Sequence, residues 1–272
     1  MFKLKLLIAK ILPKKLLKVS KSNYRKFRGL VFNQIYKGKE VYCPCCNRNF
    51  SRFMPFKYEK GFNNDERFKY TFKNTTCPFC YSMPRHRIVC FYFNQIKGTL
   101  KQYSFPILMI GAEHAIELWL KQNNIPFTTA DLYDKTADIE LDIQQMPFQD
   151  KTWSLIICNH VLEHVPNFEK SMKELKRVLK DDGIIEISSP TDKTLSSMIE
   201  DTTTISHEER IQKFGQFDHM RIFGKDFNKQ IENTGFLAEL IKGDELPFNI
   251  GGVVGPANYD DNTIYICRKK IS

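Results

Sequence analysis

From residue 105 onward, apolar and polar residues alternate in a pattern that is typical of strands and helices. Short apolar runs of strand length recur, and two segments between them, 114–123 and 167–180, repeat their apolar residues at helical spacing. Because strands alternate with helices, we expect a parallel sheet covered on both faces. The predicted strands are, in chain order, PILMI, PFTTADL, ADIELDI, WSLIICN, GIIEISSP, FLAELI and TIYICRK.

The segment 167–180 has the clearest amphipathic pattern. One stripe is apolar while Lys and Glu occupy the rest, and Gly183 is expected to stop the helix; the stripe consists of Met172, Leu175, Val178 and Leu179. Seven strands suffice for a complete doubly wound α/β domain. Ligands of such domains bind outside the carboxyl ends of the strands.

Charge divides the chain into sections. The formal net charge is +10, from 41 Lys and Arg against 31 Asp and Glu, and the first forty residues alone carry more than this excess. The remainder is therefore close to neutral, which favours a basic docking segment over a nucleic-acid groove spread across the surface. We predict a basic amphipathic lead over 1–40, a cysteine-rich module over 41–100 and the α/β domain over 101–272.

The lead segment is apolar but cannot span a bilayer, because lysines interrupt every apolar run and Pro13 falls in its middle. On a helical wheel Lys3, Lys10 and Lys14 share one face, which suits a helix lying in the interface of an anionic membrane. We therefore expect residues 1–30 to dock on a membrane. A solvated, partly packed helix is an equal alternative.

Four of the eight cysteines form two CxxC pairs, Cys43 with Cys46 and Cys77 with Cys80. Each pair can grip one tetrahedral metal ion from two sides, so we predict a closed, structural zinc site with Cys45 as a bystander. Disulfides fit poorly in a chain of this size that has no secretory cleavage pattern. The remaining alternative is a set of reduced cysteines without metal.

Polar residues end three of the predicted strands. Asp131 ends the second strand, at a spacing from the first turn that suits a carboxylate accepting both ribose hydroxyls of a nucleotide-type cofactor. Asp142 ends the third strand, where it could accept a hydrogen bond from an adenine amino group. Asn159 and His160 end the fourth, beside the cofactor's reactive end. For Asp131, capping of a loop is the simpler alternative.

The segments LDIQQMPF, NHVLEHV and LKRVLKDDG closely resemble class I S-adenosylmethionine-dependent methyltransferases of the type 11-like kind. The resemblance extends over most of residues 105–268. It implies a Rossmann-like seven-stranded methyltransferase sheet, mostly parallel with the last strand antiparallel, and S-adenosylmethionine as methyl donor. The residues it assigns to the donor are Gly111, Ala112, Glu113, Asp131, Leu132, Asp142, Ile143, Asn159 and His160.

The loop LMIGAEHA departs from the family pattern, in which an acidic residue and one further residue precede GxGxG. Met109 replaces the acid, and Glu113 and Ala115 replace the second and third glycines. The donor's methionine end carries an ammonium and a sulfonium. We therefore expect Glu113 to restore a carboxylate near that cation.

Three further segments resemble a subgroup of bacterial methyltransferases with cysteine-rich N-termini. They are CPFCYSMPRHR at 77–87, EER at 208–210 and FGQFDHMRIFG at 214–224, although the loop at 112–114 lacks the subgroup's proline. The subgroup is often linked to cell-surface polysaccharide production. The resemblance therefore implies a sugar or glycolipid acceptor, and a cytoplasmic protein working at the inner face of the membrane.

Transfer to a hydroxyl acceptor requires a base. We predict His219 as the base, Asp218 as an orienting residue and Arg221 as the group that holds an anionic acceptor. His160, Glu163 and His164 lie on the NHVLEHV turn beside the donor, and we interpret His164 as a packing residue at a helix start.

Arg85, His86 and Arg87 follow the second cysteine pair directly. Two interpretations are open for them: a helix start that is solvated or internally ion-paired, or a site for an anionic acceptor such as a phosphate or an acidic sugar.

Two other functions compete with sugar or glycolipid methylation. A zinc-containing RNA methyltransferase also places a cysteine module before this fold, but such modules use a histidine ligand, and the near-neutral body here offers little phosphate-tracking surface. A non-catalytic scaffold would follow if the altered loop had lost the donor.

Overall fold

The computed structural model describes residues 31–57, 71–102, 106–203, 206–246, 259–260 and 262–270. The predicted membrane-docking segment up to residue 30 lies outside the described residues. Within the described part of the chain, no helix combines the length and hydropathy needed to cross a membrane.

Two small antiparallel hairpins and two helices form the cysteine-rich section. The first hairpin pairs β1 (Val41–Cys43) with β2 (Arg48–Phe50), and the second pairs β3 (Met54–Lys57) with β4 (Thr71–Thr76). Helices α1 (Pro84–Gln95) and α2 (Lys97–Gln102) follow. Cys43 is the last residue of β1 and Cys46 lies in the turn between β1 and β2, whereas Cys77 and Cys80 lie between β4 and α1.

A seven-stranded sheet forms the centre of the molecule and confirms all seven predicted strands. Its strands are β5 (Ile107–Ile110), β6 (Thr128–Asp131), β7 (Ile139–Glu140), β8 (Trp153–Asn159), β9 (Leu179–Ser188), β13 (Phe236–Lys242) and β15 (Thr263–Lys269). The order across the sheet is β7-β6-β5-β8-β9-β15-β13. Only β15 runs antiparallel to its neighbours β9 and β13. The mixed, mostly parallel Rossmann-like topology is therefore confirmed.

Helices and short strands complete the described chain. The helices are α3 (His114–Gln122), α4 (Phe168–Val178), α5 (His207–Phe214) and α6 (Phe227–Asn233). Two short antiparallel pairs lie beyond the sheet, formed by β10 (Thr191–Asp192) with β14 (Tyr259–Asp260) and by β11 (Ile199–Glu200) with β12 (Arg221–Ile222). Helix α3 matches its predicted range to within one residue.

The predicted end of the second helix was wrong. Helix α4 ends at Val178, and Leu179 already belongs to β9, so Gly183 does not stop the helix. Residues 180–183 instead form a bulge between two registers of β9 on β8. A Cβ on Gly183 would lie 2.8 Å from the Leu179 side chain and 3.0 Å from the carbonyl oxygen of Ser154. Glycine is therefore needed there because the bulge brings backbone and side chain close together.

Two hydrophobic clusters cover the two faces of the sheet. One contains Met109 of β5 and packs against the cysteine hairpins, α1 and α3, with Phe93 and Trp119 at its centre. The other contains Leu108 and packs against α4 and α6. The first cluster spans the predicted boundary at residue 100. The cysteine-rich section therefore supplies part of the apolar layer that keeps water from the sheet.

Candidate functional site

The strand order reverses between β5 and β8, and their carboxyl ends define a crevice where ligands of such sheets bind. Gly111 follows β5 directly, and its N–H donates to the carbonyl oxygen of Ala130 at 2.9 Å. Its φ is +65°, and an added Cβ would lie 3.0 Å from Cγ2 of Val161, just past β8. The left-handed backbone and the close approach explain why this glycine of the altered loop is retained.

The rest of the loop leads into α3. Ala112 is exposed, and Glu113 is the N-cap residue in an extended conformation. Ala115 is buried in the first turn of α3, and Met109 is buried in the same hydrophobic cluster. Met109 and Ala115, which stand at the positions of the family's acid and third glycine, are thus packed in the hydrophobic core. Only Glu113 brings a charge into the loop.

The carboxylate of Glu113 is tied to the cysteine-rich section. Its Oε1 accepts a hydrogen bond from Nη2 of Arg85 at 3.1 Å and lies 2.6 Å from Nε2 of His86. Nδ1 of His86 accepts from the backbone N–H of Met83, so Nε2 carries the proton that is donated to Glu113. Both partners lie in the first turn of α1, directly after the second cysteine pair.

The contacts of Glu113 with Arg85 and His86 set the charge of the loop. Burial by itself would raise the pKa of Glu113, but His86 and Arg85 outweigh burial and hold the pKa well below its usual range. The side chain is 16% exposed, and Oε2 is buried without a hydrogen bond in the described part of the chain. Internal pairing, one of the two interpretations offered for Arg85 and His86, is therefore what the structure contains, as an ion pair from Arg85 and a hydrogen bond from His86. A contact of Glu113 with the donor stays a prediction.

Arg87 is wholly internal. Its guanidinium donates at 2.6 Å to the carbonyl oxygens of Ser82 and Thr75 and lies 4.0 Å above the ring of Phe53. The side chain is fully buried. Arg87 thus joins the second hairpin to α1, and the alternative in which it binds an anionic acceptor does not fit its position.

Asp131 ends β6 at the edge of the crevice. Its Oδ1 accepts hydrogen bonds from the backbone N–H groups of Tyr133 and Asp134, at 2.7 and 2.8 Å. The loop-capping alternative therefore applies to this oxygen. Leu132, the next residue in the chain, is exposed. A role of Asp131 and Leu132 in donor binding stays a prediction.

Asp142 lies two residues beyond β7, next along the same edge of the sheet. Its Oδ1 accepts from the backbone N–H of Gln144 at 2.8 Å, and the neighbouring Ile143 is buried. Asp131 and Asp142 therefore follow adjacent strands, as expected from the sequence, and each also stabilises its own turn.

The side chain of Asn159 forms hydrogen bonds within the sheet. Its Nδ2 donates to Oε2 of Glu186 at 2.9 Å, and its Oδ1 accepts from the hydroxyl of Ser188 at 2.7 Å. Only the backbone of Asn159 is therefore left for a ligand. His160 follows with φ of +53°, a conformation that costs a non-glycine residue about 1 kcal/mol or more and recurs at functional sites.

Glu186 is a buried carboxyl group that the sequence analysis missed. It lies in the middle of β9, and its Oε1 accepts no hydrogen bond from the described residues. Burial raises its pKa to about 8, and the nearby negative charge of Glu113 adds to the rise. A lone carboxylate within the apolar run IIEIS was the sequence pattern that could have revealed it.

Glu186 should make stability fall as pH rises. An unfolded chain releases this proton near the ordinary value of 4.5, whereas the folded chain keeps it until about pH 8, so between these values unfolding becomes easier with each pH unit. We expect the unfolding free energy of Glu186→Gln, relative to that of the parent protein, to rise by about 3 kcal/mol between pH 5 and pH 8. Urea unfolding at the two pH values measures this. The exposed Glu239 is the matched control, since Glu239→Gln removes a carboxyl group from the surface and not from the interior. If the difference in unfolding free energy between Glu186→Gln and the parent protein is the same at both pH values, the raised pKa of Glu186 is contradicted.

A second group of polar residues lies beyond the end of β8. Glu163, His164 and His219 each offer a donor atom, and these atoms lie within 4.8 Å of one another. The hydroxyl of Ser189 donates to Oε2 of Glu163 at 2.7 Å, and Nδ1 of His164 lies 3.4 Å from Oδ2 of Asp218. His164 belongs to a turn before α4 and not to a helix start, which corrects the sequence interpretation.

Electrostatics in this group are set by burial and by neighbouring charges. Burial lowers the pKa of His219, which keeps its ring neutral near pH 7. Burial also opposes protonation of His164, but the hydrogen bond with Asp218 and the charge of Glu163 prevail and raise its pKa. For Glu163 burial is outweighed by His160, which lowers the pKa to about 2.

Arg221 and Arg210 hold this group in place. Arg221 is fully buried and donates to the carbonyl oxygens of Leu162 and Val165 and to the carboxylate of Glu200. Its predicted role in holding an anionic acceptor does not fit, because its guanidinium is occupied by these internal partners. Arg210 donates to the carbonyl oxygen of His219 at 3.0 Å. The two arginines of the EER and DHMR segments are thus positioning residues.

The four predicted metal-ligating cysteines meet in space. Cys43 Sγ lies 3.7 Å from Cys80 Sγ, and Cys46 Sγ lies 3.8 Å from Cys77 Sγ. All four sulfur atoms lie within 4.8 Å of one another and are buried, and none forms a disulfide. Cys45 is buried nearby but is not part of this group.

Residues 114–187 match the family described as methyltransferase domain. The sterol 4-C-methyltransferase strm-1 of Caenorhabditis elegans is 37% identical over 60 residues, which are 22% of this chain and 18% of that protein. An uncharacterized protein of Methanocaldococcus jannaschii is 33% identical over 89 residues, 32% of this chain and 39% of that one. The chain thus spans less than two fifths of the length of these relatives. Among solved structures, a SAM dependent methyltransferase from Archaeoglobus fulgidus is similar with a TM-score of 0.45 and 15% identity, over 68% of this chain and 94% of that one.

Proposed function

We propose that the protein is an S-adenosylmethionine-dependent methyltransferase whose donor lies in the crevice beyond β5 and β8. The observation that carries the proposal is the turn at Gly111, where a left-handed glycine contacts the end of β8 immediately before the segment that matches a methyltransferase domain. S-adenosylmethionine would supply the methyl group. The protein's contribution would be to position donor and acceptor and to exclude water.

The residues around the crevice suit such a donor. The donor's methionine end is cationic, and the carboxylate of Glu113 lies in the loop after β5 with one buried oxygen, Oε2, that accepts no hydrogen bond from the described residues. Asp131 and Asp142 would hold the ribose and the adenine, with contacts from Leu132 and Ile143. Gly111, Ala112 and the backbone of Asn159 and His160 would line the methionine end.

Calorimetric titration with S-adenosylhomocysteine tests this proposal. We expect micromolar affinity, worth about 8 kcal/mol, and loss of most of it in Asp131→Ala. Asp131→Asn keeps an acceptor for the turn but lacks the charge, so it separates ribose binding from loop folding. The exposed Asp181 lies near the start of β9, at the opposite end of the strands from the crevice, and Asp181→Ala should bind like the parent protein. Absence of binding in the parent protein would refute the proposal and favour the scaffold alternative.

We further propose that the four cysteines hold a structural zinc ion. A tetrahedral zinc with bonds of about 2.3 Å sets its sulfur ligands about 3.8 Å apart, which fits the two measured sulfur distances. Among the described residues, the group contains four thiols and no fifth donor atom, as expected for a closed structural site. The ion would hold the two hairpins together below α1.

The acceptor is proposed to be a sugar or glycolipid, with residues 1–30 docking the protein on an anionic membrane surface. This part rests on the sequence resemblance and on the concentration of positive charge at one end of the chain. Methylation of RNA is less favoured because the rest of the chain is nearly neutral. His219 is proposed as the base that takes the proton of an acceptor hydroxyl, and its burial supports a neutral ring that can accept one.

A further inference from the structure

We propose that Glu163, His164 and His219 form a second metal site, which takes a divalent first-row transition ion such as Zn²⁺ and keeps one coordination position open. Two imidazoles and one carboxylate are a known ligand set of catalytic zinc. The site is separate from the four cysteines. It does not depend on methyl transfer for its existence.

On two of the three residues, one polar atom is held by a hydrogen bond and the other is available to an ion. His219 Nδ1 lies 3.2 Å from the carbonyl oxygen of Phe214, to which it donates as the protonated nitrogen of a neutral ring, so Nε2 carries the lone pair. Oε2 of Glu163 accepts from Ser189, whereas the buried Oε1 accepts no well-aligned hydrogen bond from the described residues and lies 3.3 Å from Nδ1 of His160, a contact that a bound ion would replace. Such an available atom opposite a fixed one is how ligands of bound metals are usually held.

His164 completes the set through its contact with Asp218. A carboxylate 3.4 Å from Nδ1 keeps the proton on that nitrogen and directs Nε2 to the other side of the ring. The rings of His164 and His219 have centroids 4.8 Å apart and lie at 77°. Two imidazoles bound to one tetrahedral ion through bonds of about 2.1 Å have similar centroid separations, so both rings can reach one ion with small rotations.

The surroundings make the site rigid on one side and open on the other. Glu163 and His219 are 2% and 7% exposed, and Arg221 and Arg210 fix the two segments that carry them. The backbone N–H of Met220 also donates to the carbonyl oxygen of Glu163 at 2.8 Å. The side chain of His164 is 30% exposed, so solvent reaches the group from the side of His164.

A metal ion at this site would bind the acceptor, a role that rests on the proposed methyl transfer. An open position on such an ion binds a hydroxyl or carboxylate oxygen and makes a bound hydroxyl more acidic. His219 cannot be a metal ligand and a general base through the same nitrogen. We therefore assign His219 as a metal ligand, in place of the general base proposed above.

Cobalt titration of the protein loaded with a single equivalent of zinc tests the site. Zinc first fills the four-thiol site, and added Co²⁺ should then give a visible d–d absorption without the strong sulfur-to-cobalt charge-transfer band, saturating at one further equivalent. We expect His219→Ala and the near-isosteric Glu163→Gln to lose this absorption. Asp218→Asn should weaken cobalt binding about tenfold, because it removes the partner that orients His164.

The exposed His207, which packs on Phe217 outside the group, is the matched control, and His207→Ala should bind cobalt like the parent protein. Retained S-adenosylhomocysteine binding in His219→Ala and Glu163→Gln would show that these variants are folded. If the zinc-loaded parent gives no such absorption, or if both variants keep it, the metal site is refuted. Failure of donor binding with normal cobalt binding would refute only the methyltransferase proposal.

Discussion

Replacement of Cys77 by serine should remove the zinc and unfold the cysteine-rich section. Structural zinc in small modules contributes an apparent 10 kcal/mol or more at neutral pH, and loss of one of four thiolates removes most of that. The buried thiols also belong to the hydrophobic cluster that covers one face of the sheet, so the damage should reach α1 and α3. We expect a loss of at least about 3 kcal/mol. Zinc content by mass spectrometry and urea unfolding measure the two effects.

Cys45 offers the matched control for this experiment. It is as buried as the four ligands but lies outside their group, so Cys45→Ser should keep its zinc and lose only the packing of one buried thiol. Full zinc content in Cys77→Ser would contradict the zinc assignment. Equal zinc loss in both variants would mean that Cys45 is a ligand and that the site is assigned incorrectly.

Replacement of Glu113 by alanine should weaken donor binding at least thirtyfold, or about 2 kcal/mol. The variant leaves Arg85 and His86 without their carboxylate, next to the place where the donor's cationic methionine end would lie. Two physical causes contribute: the attraction between the carboxylate and the donor, and the anchoring of the loop to α1. Calorimetry with S-adenosylmethionine and with S-adenosylhomocysteine separates them, because only the first ligand carries a sulfonium. A larger loss for S-adenosylmethionine indicates direct attraction.

Glu113→Gln refines the same test, since an amide can still accept from Arg85 or His86 but carries no charge. Near-normal affinity in this variant together with loss in Glu113→Ala would assign Glu113 as a positioning residue. Glu117, one turn further along α3 and paired with Lys121, is the control whose replacement by alanine should leave affinity unchanged. Unchanged affinity in Glu113→Ala would remove Glu113 from the donor site.

The two predictions are connected by α1. The second cysteine pair leads within a few residues to Arg85 and His86, and these hold Glu113 at the entrance of α3. The cysteine-rich section is thus placed to stabilise the loop that the sequence had singled out for its missing glycines. Cys77→Ser should therefore also weaken donor binding, through loss of the ion pair.

Local patterns in the sequence were sufficient for the framework. Strand and helix periods repeat over a few residues, and all seven predicted strands are found in the sheet. The boundary between α4 and β9 was wrong by several residues, because the bulge at 180–183 depends on the pairing of β9 with β8. That pairing involves residues of β8 that are distant along the chain, and helix periodicity does not record it.

The sequence by itself determined the order of the elements, the glycine at the end of β5 and the two CxxC pairs, since each depends on neighbours within a few positions. The tertiary structure alone decided where the charged side chains go. It placed Arg221 inside the protein, joined Glu113 to Arg85 and brought Glu163 next to His219. The physical reason is that burial and ion pairing depend on which segments pack together, and residues fifty positions apart in the chain meet only after the sheet and its helices have formed.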